Sequence, residues 1–371
     1  MRLLRLFTKS FFLVINAIIA VLFLITCLAP ILSPARFWPI GFLTLGFPLL
    51  LALQLLFLVG WICFNIRYAL LPLITLLLGW KSVSAYISFH WPAGDAVAEK
   101  VADSSLTVMS YNVAQFGLYR EKDSRYTRQA IYALIKKQAP DILCMQDFFT
   151  SDKNQDANNR ENISQELQMP YRYFSSDFNR DGSLHWGSII YSRYPIINSS
   201  KVKMSGGRLS ESLVYADIAR EREGDTIRII NMHLQSYRFD QKDYSSIRKI
   251  KAQEDTGLIA TRNILQKMRD AMIRRSHQAD TVAAIIRRSP YRVIVCGDFN
   301  DIPASYTYFT IRGPLQDAFL EKGSGIGRTF ASLSPTLRID YIFADPTFEV
   351  MAYRKINSNL SDHYPVIAYV K

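Results

Sequence analysis

The first ninety residues of this 371-residue chain carry no acidic side chain, and that absence constrains the fold more than any other feature. Six basic residues, Arg2, Arg5, Lys9, Arg36, Arg67 and Lys81, punctuate long apolar runs. Phe11–Ser33 and Ile40–Phe64 are uncharged. Each is long enough to cross a bilayer as a helix, which takes about 20 apolar residues. A third run, Tyr68–Trp80, is shorter and contains Pro72, so it reads as a short span or an interfacial helix. A cleaved leader is the rival reading of the first run, but the run is long and more membrane-like sequence follows at once. Residues 1–90 are therefore expected to form a multi-pass membrane region with two or three transmembrane helices. Residues 91–105 then read as a linker, and residues 106–371 as one large domain. Arg2, Arg5 and Lys9 favour a cytoplasmic N-terminus, and Arg67 fits an inside loop. With three spans the large domain falls on the extracytoplasmic side.

The net charge of +12 is unevenly spread. Between Ser236 and Arg292 thirteen Lys or Arg stand against six Asp or Glu. A local basic segment suits an anionic partner such as phosphate, nucleic acid or lipid head groups, or forms a solvated helix face. The four cysteines show no CxxC pair and no zinc-type spacing. Cys144 and Cys296 sit in apolar runs, where a free thiol behaves as a small core residue.

From Leu106 onward the pattern is that of a globular protein. LTVMSYNV, DILCMQ, the successive runs between Tyr171 and Leu234, VIVC at Val293–Cys296, RIDYIFA and PVIAYV read as strands. Thr127–Gln138 has helical spacing, and Asp243–Arg288 reads as two helices or as one broken near Gly257. Ser151–Asn162, the SSDFNRDG stretch with Asp177 and Asp181, and the glycines Gly323, Gly325 and Gly327 read as loops. Trp186 reads as a core aromatic. Many strands without strict βα alternation favour an α/β fold of stacked sheets flanked by helices.

Polar residues recur where these strands stop. Asn112 follows VMSY, Asp147 follows LCMQ, and His233 follows IINM. Asp298 and Asn300 follow VIVCG, two residues apart and so on one face of an extended chain. Asp340 lies in RIDYIF, and Asp362 with His363 precedes the last strand. Carboxylate and amide oxygens suit a hard cation such as magnesium, whereas two distant histidines without cysteine argue against structural zinc.

The pieces SYNV, DILCMQD, GSIIYSRYPI, NMHL, GDFNDIP, RIDYIF and SDHYP resemble, in order, the motifs of the endonuclease/exonuclease/phosphatase superfamily. Each alone is weak; GDFN with a later SDH is specific. The resemblance spans Leu106–Lys371. It implies a four-layer α/β sandwich, two mixed β-sheets flanked by helices, here preceded by N-terminal transmembrane helices. It also implies a Mg²⁺-dependent phosphoesterase, with Mn²⁺ as the alternative ion. By the same resemblance Asn112 and Asp147 would hold the metal, and Asp362 would serve it or anchor its loop. Asp298 would orient or deprotonate the attacking water. Asn300 and His233 would contact the phosphate, and His363, oriented by Asp340, would bind or protonate it. The superfamily usually has Glu at the position of Asp147, so an altered metal affinity is expected. The expected substrate is a phosphate ester: a nucleic acid, a phospholipid head group or a small phosphodiester. No obligate protein partner is evident. The alternative is a membrane scaffold or binding protein whose site has decayed.

Overall fold

The structure, a computed structural model, describes residues 2–90, 105–118, 124–204, 212–220, 225–252, 258–332 and 334–371. The linker expected over 91–105 lies outside these but for Ser105. The chain divides into two compact units.

The first unit comprises Met1–Tyr86, Ser236–His277 and Pro303–Thr310. Its apolar runs form helices Arg2–Thr26, Phe47–Phe64 and Ile66–Leu78. The first helix stops at Thr26 rather than Ser33, and turns carry the chain onward through Pro30. The run Ile40–Phe64 is split at Gly46 into Pro39–Leu45 and Phe47–Phe64. Pro48, which has no N–H to donate, falls at the start of the second piece, where none is needed. The third run bends by 71° into Trp80–Tyr86. Two helices, Thr8–Thr26 and Phe47–Phe64, are long and apolar enough to cross a membrane, or three if the bent pair is one span. The first two are tied by buried amides. Asn16 donates to Gln54 at 3.4 Å, and Trp61 Nε1 donates to the Asn16 carbonyl at 3.2 Å. Amides of this kind join helices where no water competes for them. The same unit holds helix Gln241–Lys251, closed by a reciprocal Asp240–Asp243 capping box, and much of helix Leu258–Arg287. These are two separate helices, and the break expected near Gly257 lies outside the described residues.

The second unit comprises Ile87–Gln235, Gln278–Ile302 and Ile311–Lys371. In chain order its strands are β1 (Ser88–Phe89), β2 (Leu106–Asn112), β3 (Ile142–Ser151), β4 (Tyr171–Arg180), β5 (Leu184–Ser192), β6 (Ile196–Lys203) and β7 (Ser212–Ala219). There follow β8 (Thr226–His233), β9 (Arg292–Asp298), β10 (Gln316–Asp317), β11 (Ser324–Gly325), β12 (Asp340–Ala344), β13 (Val350–Lys355) and β14 (Val366–Val370). Two six-stranded mixed sheets result, ordered β13-β14-β2-β3-β5-β4 and β10-β12-β9-β8-β7-β6. Each has one parallel pair, β2 with β3 and β8 with β9. Asp177 lies within β4, not in a loop, and binds Lys201 and Ser212. The polar stretch Ser151–Asn162 leads into a short helix, Asn159–Glu166.

Strand alternation explains the layers. Val108, Cys144, Ile229, Ile294 and Cys296 belong to one cluster packed between the sheets. Their neighbours Met109, Leu143 and Met145 face outward with Ile131 and Ile135 of helix Ser124–Gln138 and Ile163 of helix Asn159–Glu166. Strands covered on both faces read as unbroken apolar runs, as seen in DILCM and VIVC. Both cysteines are fully buried and unpaired by disulfide.

Candidate functional site: a carboxylate and imidazole cluster at the strand ends

Register brings the second sheet's polar residues together. Parallel β8 and β9 place His233 beside Asp298, and antiparallel β12 places Asp340 beside Asp298 on the other side. Three side chains on neighbouring strands at one level share a face. Gly297, just before Asp298, has φ 146° and lies so close to β8 that a Cβ would stand 2.0 Å from the Met232 carbonyl oxygen. No other residue fits there, so GDFN needs its glycine.

The first sheet delivers its residues by a different device. Asn112 ends β2, level with Gln146 of β3. Strict alternation would send Asp147 to the outer face with Met145. A bulge between Met145 and Phe148, with Asp147 at φ 48°, breaks that alternation, and Phe148 resumes the outer packing. Ala114, Gln115 and Phe116 also have positive φ, as does Asn300. Non-glycine residues held there are strained, and such strain gathers at functional sites.

Asp298 is the centre of the cluster. It is buried. One oxygen accepts from Asn112 Nδ2 at 3.0 Å and lies 3.6 Å from both His233 Nε2 and His363 Nε2. The other accepts from the backbone N–H of Asn300 at 2.8 Å. Asp298 and Asn300 thus form a turn as well as a site. The Asn300 amide donates to the Leu234 carbonyl at 2.9 Å, which leaves one N–H of its two. His363 is buried, and its Nδ1 lies 3.0 Å from Asp340 Oδ2. Burial alone would favour a neutral ring, but the carboxylates of Asp340 and Asp298 outweigh it and raise the His363 pKa to about 10. Asp340 is itself pushed up by burial, against the pull of His363. Ser361 Oγ ties the Asp362–His363 loop to the Asn112 carbonyl at 2.8 Å.

Asp147 is held differently. Both its oxygens accept from the Gln115 amide, at 3.0 and 3.3 Å, and Gln115 accepts in turn from Trp186 Nε1 at 3.2 Å. Trp186 is therefore more than a core ring, although it also packs on Phe149 and Phe178. Burial raises the Asp147 pKa, His233 lowers it, and Asp362 is a nearby like charge. Among the described residues no Lys or Arg pairs with Asp147. A desolvated carboxylate near a second one, eased by His233 and a neutral amide and unpaired by Lys or Arg, is a candidate ligand for a divalent cation. Among the described residues, Asp298, Asp340 and His363 form a group that could hold an ion by itself, with ligand atoms within 4.8 Å of one another.

Two residues beneath the site escaped the sequence reading. Gln146 of β3 donates to Asn231 of β8 at 2.7 Å, and Asn231 donates to the carbonyls of Met145 and Ile189. Both side chains are fully buried and link the two sheets. The signal was present: a lone amide in an apolar strand run must find a partner.

Comparison with known proteins places this arrangement. A family model described as the endonuclease/exonuclease/phosphatase family matches residues 109–363. The chain belongs to this family. A second model, a domain of unknown function, matches residues 9–86. No curated protein matches the sequence. Among solved structures, an endonuclease/exonuclease/phosphatase from Beutenbergia cavernae is 18% identical, with a TM-score of 0.52 over 72% of this chain and 71% of that one. A Bacteroides vulgatus family protein is 17% identical, with a TM-score of 0.51 over 72% and 99%. One from Bacteroides thetaiotaomicron is 19% identical, with a TM-score of 0.50 over 72% and 97%. At these identities the likeness concerns the fold, the two-sheet α/β architecture described above.

Proposed function

We propose that the protein is a membrane-associated phosphoesterase that hydrolyses a phosphate ester with a divalent cation, magnesium first and manganese as a substitute. The observation that carries this reading is the convergence of Asn112, His233 and His363 on the Asp298 carboxylate. In this reading Asp147 and Asn112, with Asp362, hold the cation. When bound, the ion supplies Lewis-acid charge to the phosphoryl group. Asp298 orients the water and accepts its proton. His233 and the remaining N–H of Asn300 bind non-bridging phosphate oxygens. His363, kept protonated by Asp340, donates to the developing charge.

The substrate reading comes from the walls beside the cluster. A pocket of about 570 Å³ is lined by Ser332, Asn357, Ser358, Asn359, Asp362 and Tyr364 among others. Hydroxyls and amides stand there beside Ala114, Ala331 and Leu360, and among the described residues no Lys or Arg lines it. Walls of mixed small polar and apolar groups suit a head group or small phosphodiester, the substrate class proposed here over nucleic acid.

The test is hydrolysis by the full chain of bis-p-nitrophenyl phosphate, glycerophosphodiesters and single-stranded DNA, with magnesium, manganese or chelator, and with Asp298→Ala as control. Metal-dependent turnover of the small esters, lost in the variant, is expected. Equal silence of both proteins on every substrate and metal would favour the decayed scaffold. Preference for DNA would overturn the substrate reading alone.

A further inference from the structure

The first compact unit carries a cleft that the phosphoesterase reading does not use. Gly41 of helix Pro39–Leu45 lies directly on helix Leu258–Arg287, where a Cβ would stand 2.5 Å from Met272 Sδ. The glycine lets these two helices close together. Beside that contact is a cleft of about 540 Å³ lined by Trp38, Phe42, Arg262, Leu265, Gln266 and Arg269 among others. Arg262, Leu265, Gln266 and Arg269 fall on one helix face by their three- and four-residue spacing. The Trp38 and Phe42 rings meet edge-on at 5.7 Å. Arg262 is exposed, with no hydrogen-bond or ion-pair partner among the described residues. Arg269 has only the neighbouring Asp270 carboxylate, at 2.8 Å. The walls are thus mostly apolar, with two guanidiniums and one counter-charge.

We propose that this cleft binds one anionic phospholipid of the surrounding bilayer. The headgroup phosphate lies against Arg262 and Arg269, and an acyl chain lies on Trp38, Phe42 and Leu265. Charge complementarity selects the head: Ser236–His277 carries ten Lys or Arg against five Asp or Glu. Position selects the lipid. Trp38 and the neighbouring exposed Phe37 fall between the two candidate spans Thr8–Thr26 and Phe47–Phe64, so they belong at the membrane–water boundary, where tryptophan concentrates. The proposal rests on membrane association and is independent of the catalytic reading.

The experiment uses the full chain in a neutral detergent. Dioleoyl phosphatidylglycerol, dioleoyl phosphatidylcholine and inorganic phosphate are each added, bound lipid is counted by native mass spectrometry, and the thermal midpoint is followed. Phosphatidylglycerol should bind about tenfold more tightly than phosphatidylcholine and raise the midpoint. Arg262→Gln with Arg269→Gln should abolish that preference, and the lysine pair at the same positions should keep most of it. Leu265→Asp leaves both arginines in place and should also weaken phosphatidylglycerol about tenfold. Equal binding of the two lipids by the wild type, or an unchanged preference in the glutamine pair, would overturn the proposal. So would unaltered affinity in the Leu265 variant. Inorganic phosphate as effective as phosphatidylglycerol would show a free-anion site and overturn it too.

Discussion

The two strand edges that face each other across the site hold their carboxylates in opposite ways. On the β8–β9–β12 edge Asp298 and Asp340 are buried but matched by His363, with His233 close to Asp298. On the β2–β3 edge Asp147 accepts from a neutral amide; burial raises its pKa, His233 lowers it, and Asp362 raises it again. The same acid thus meets two environments. One edge sets its carboxylates directly against imidazoles; the other sets its carboxylate against an amide. The proposed roles, proton handling at Asp298 and cation binding at Asp147, build on that difference.

The comparison breaks most directly at its two central aspartates. Asp298→Ala should cost about 10²–10⁴ in turnover, the usual worth of a positioned acid or base, and added metal should not restore it. Asp147→Ala should lose activity at low magnesium and regain much of it at high magnesium. A magnesium titration of both variants distinguishes them, and rescue of Asp298→Ala in place of Asp147→Ala would reverse the assignment.

A smaller effect tests how the edges are joined. Asn231→Ala removes the amide between the sheets and its bonds to Gln146 and to the buried carbonyls of Met145 and Ile189, although Gln146 keeps Ser110 Oγ and the Cys144 carbonyl. The loss should be about 2–3 kcal/mol of stability in a chemical denaturation series, within the usual range for stranded buried groups. A loss indistinguishable from zero would mean that the sheets are held in register without it.

The last test concerns pH. The His363 pKa is raised from 6.5 to about 10 on folding. Its contribution to stability is therefore full below about pH 6.5 and is lost as pH rises through about 10. In detergent, the difference in thermal midpoint between the wild type and His363→Gln should shrink across that window. A difference that grows with pH would contradict the imidazolium assignment on this edge.

Much of this could be read from the chain alone. The apolar runs before His90, the strand runs VIVC and DILCM, and the placing of Asn112, His233, Asp298 and His363 at strand ends are local patterns. Each depends on neighbours a few residues away, so spacing and hydropathy reveal it. What spacing could not show was where a strand departs from alternation. The bulge at Asp147 and the strand position of Asp177 depend on partners far apart in sequence. Trp186 likewise could not be linked to Asp147, because Gln115 bridges them only once β2, β3 and β5 are side by side.

By itself, then, the sequence determined an apolar N-terminal region and a two-faced sheet protein with acids, amides and imidazoles at its strand ends. Tertiary structure alone decided which carboxylate meets an imidazole, which is left to a neutral amide, and which amides lock one sheet to the other. The physical reason is that hydrophobic periodicity is set residue by residue along the chain. Protonation and charge balance are set instead by whatever distant groups register and burial bring within a few ångströms.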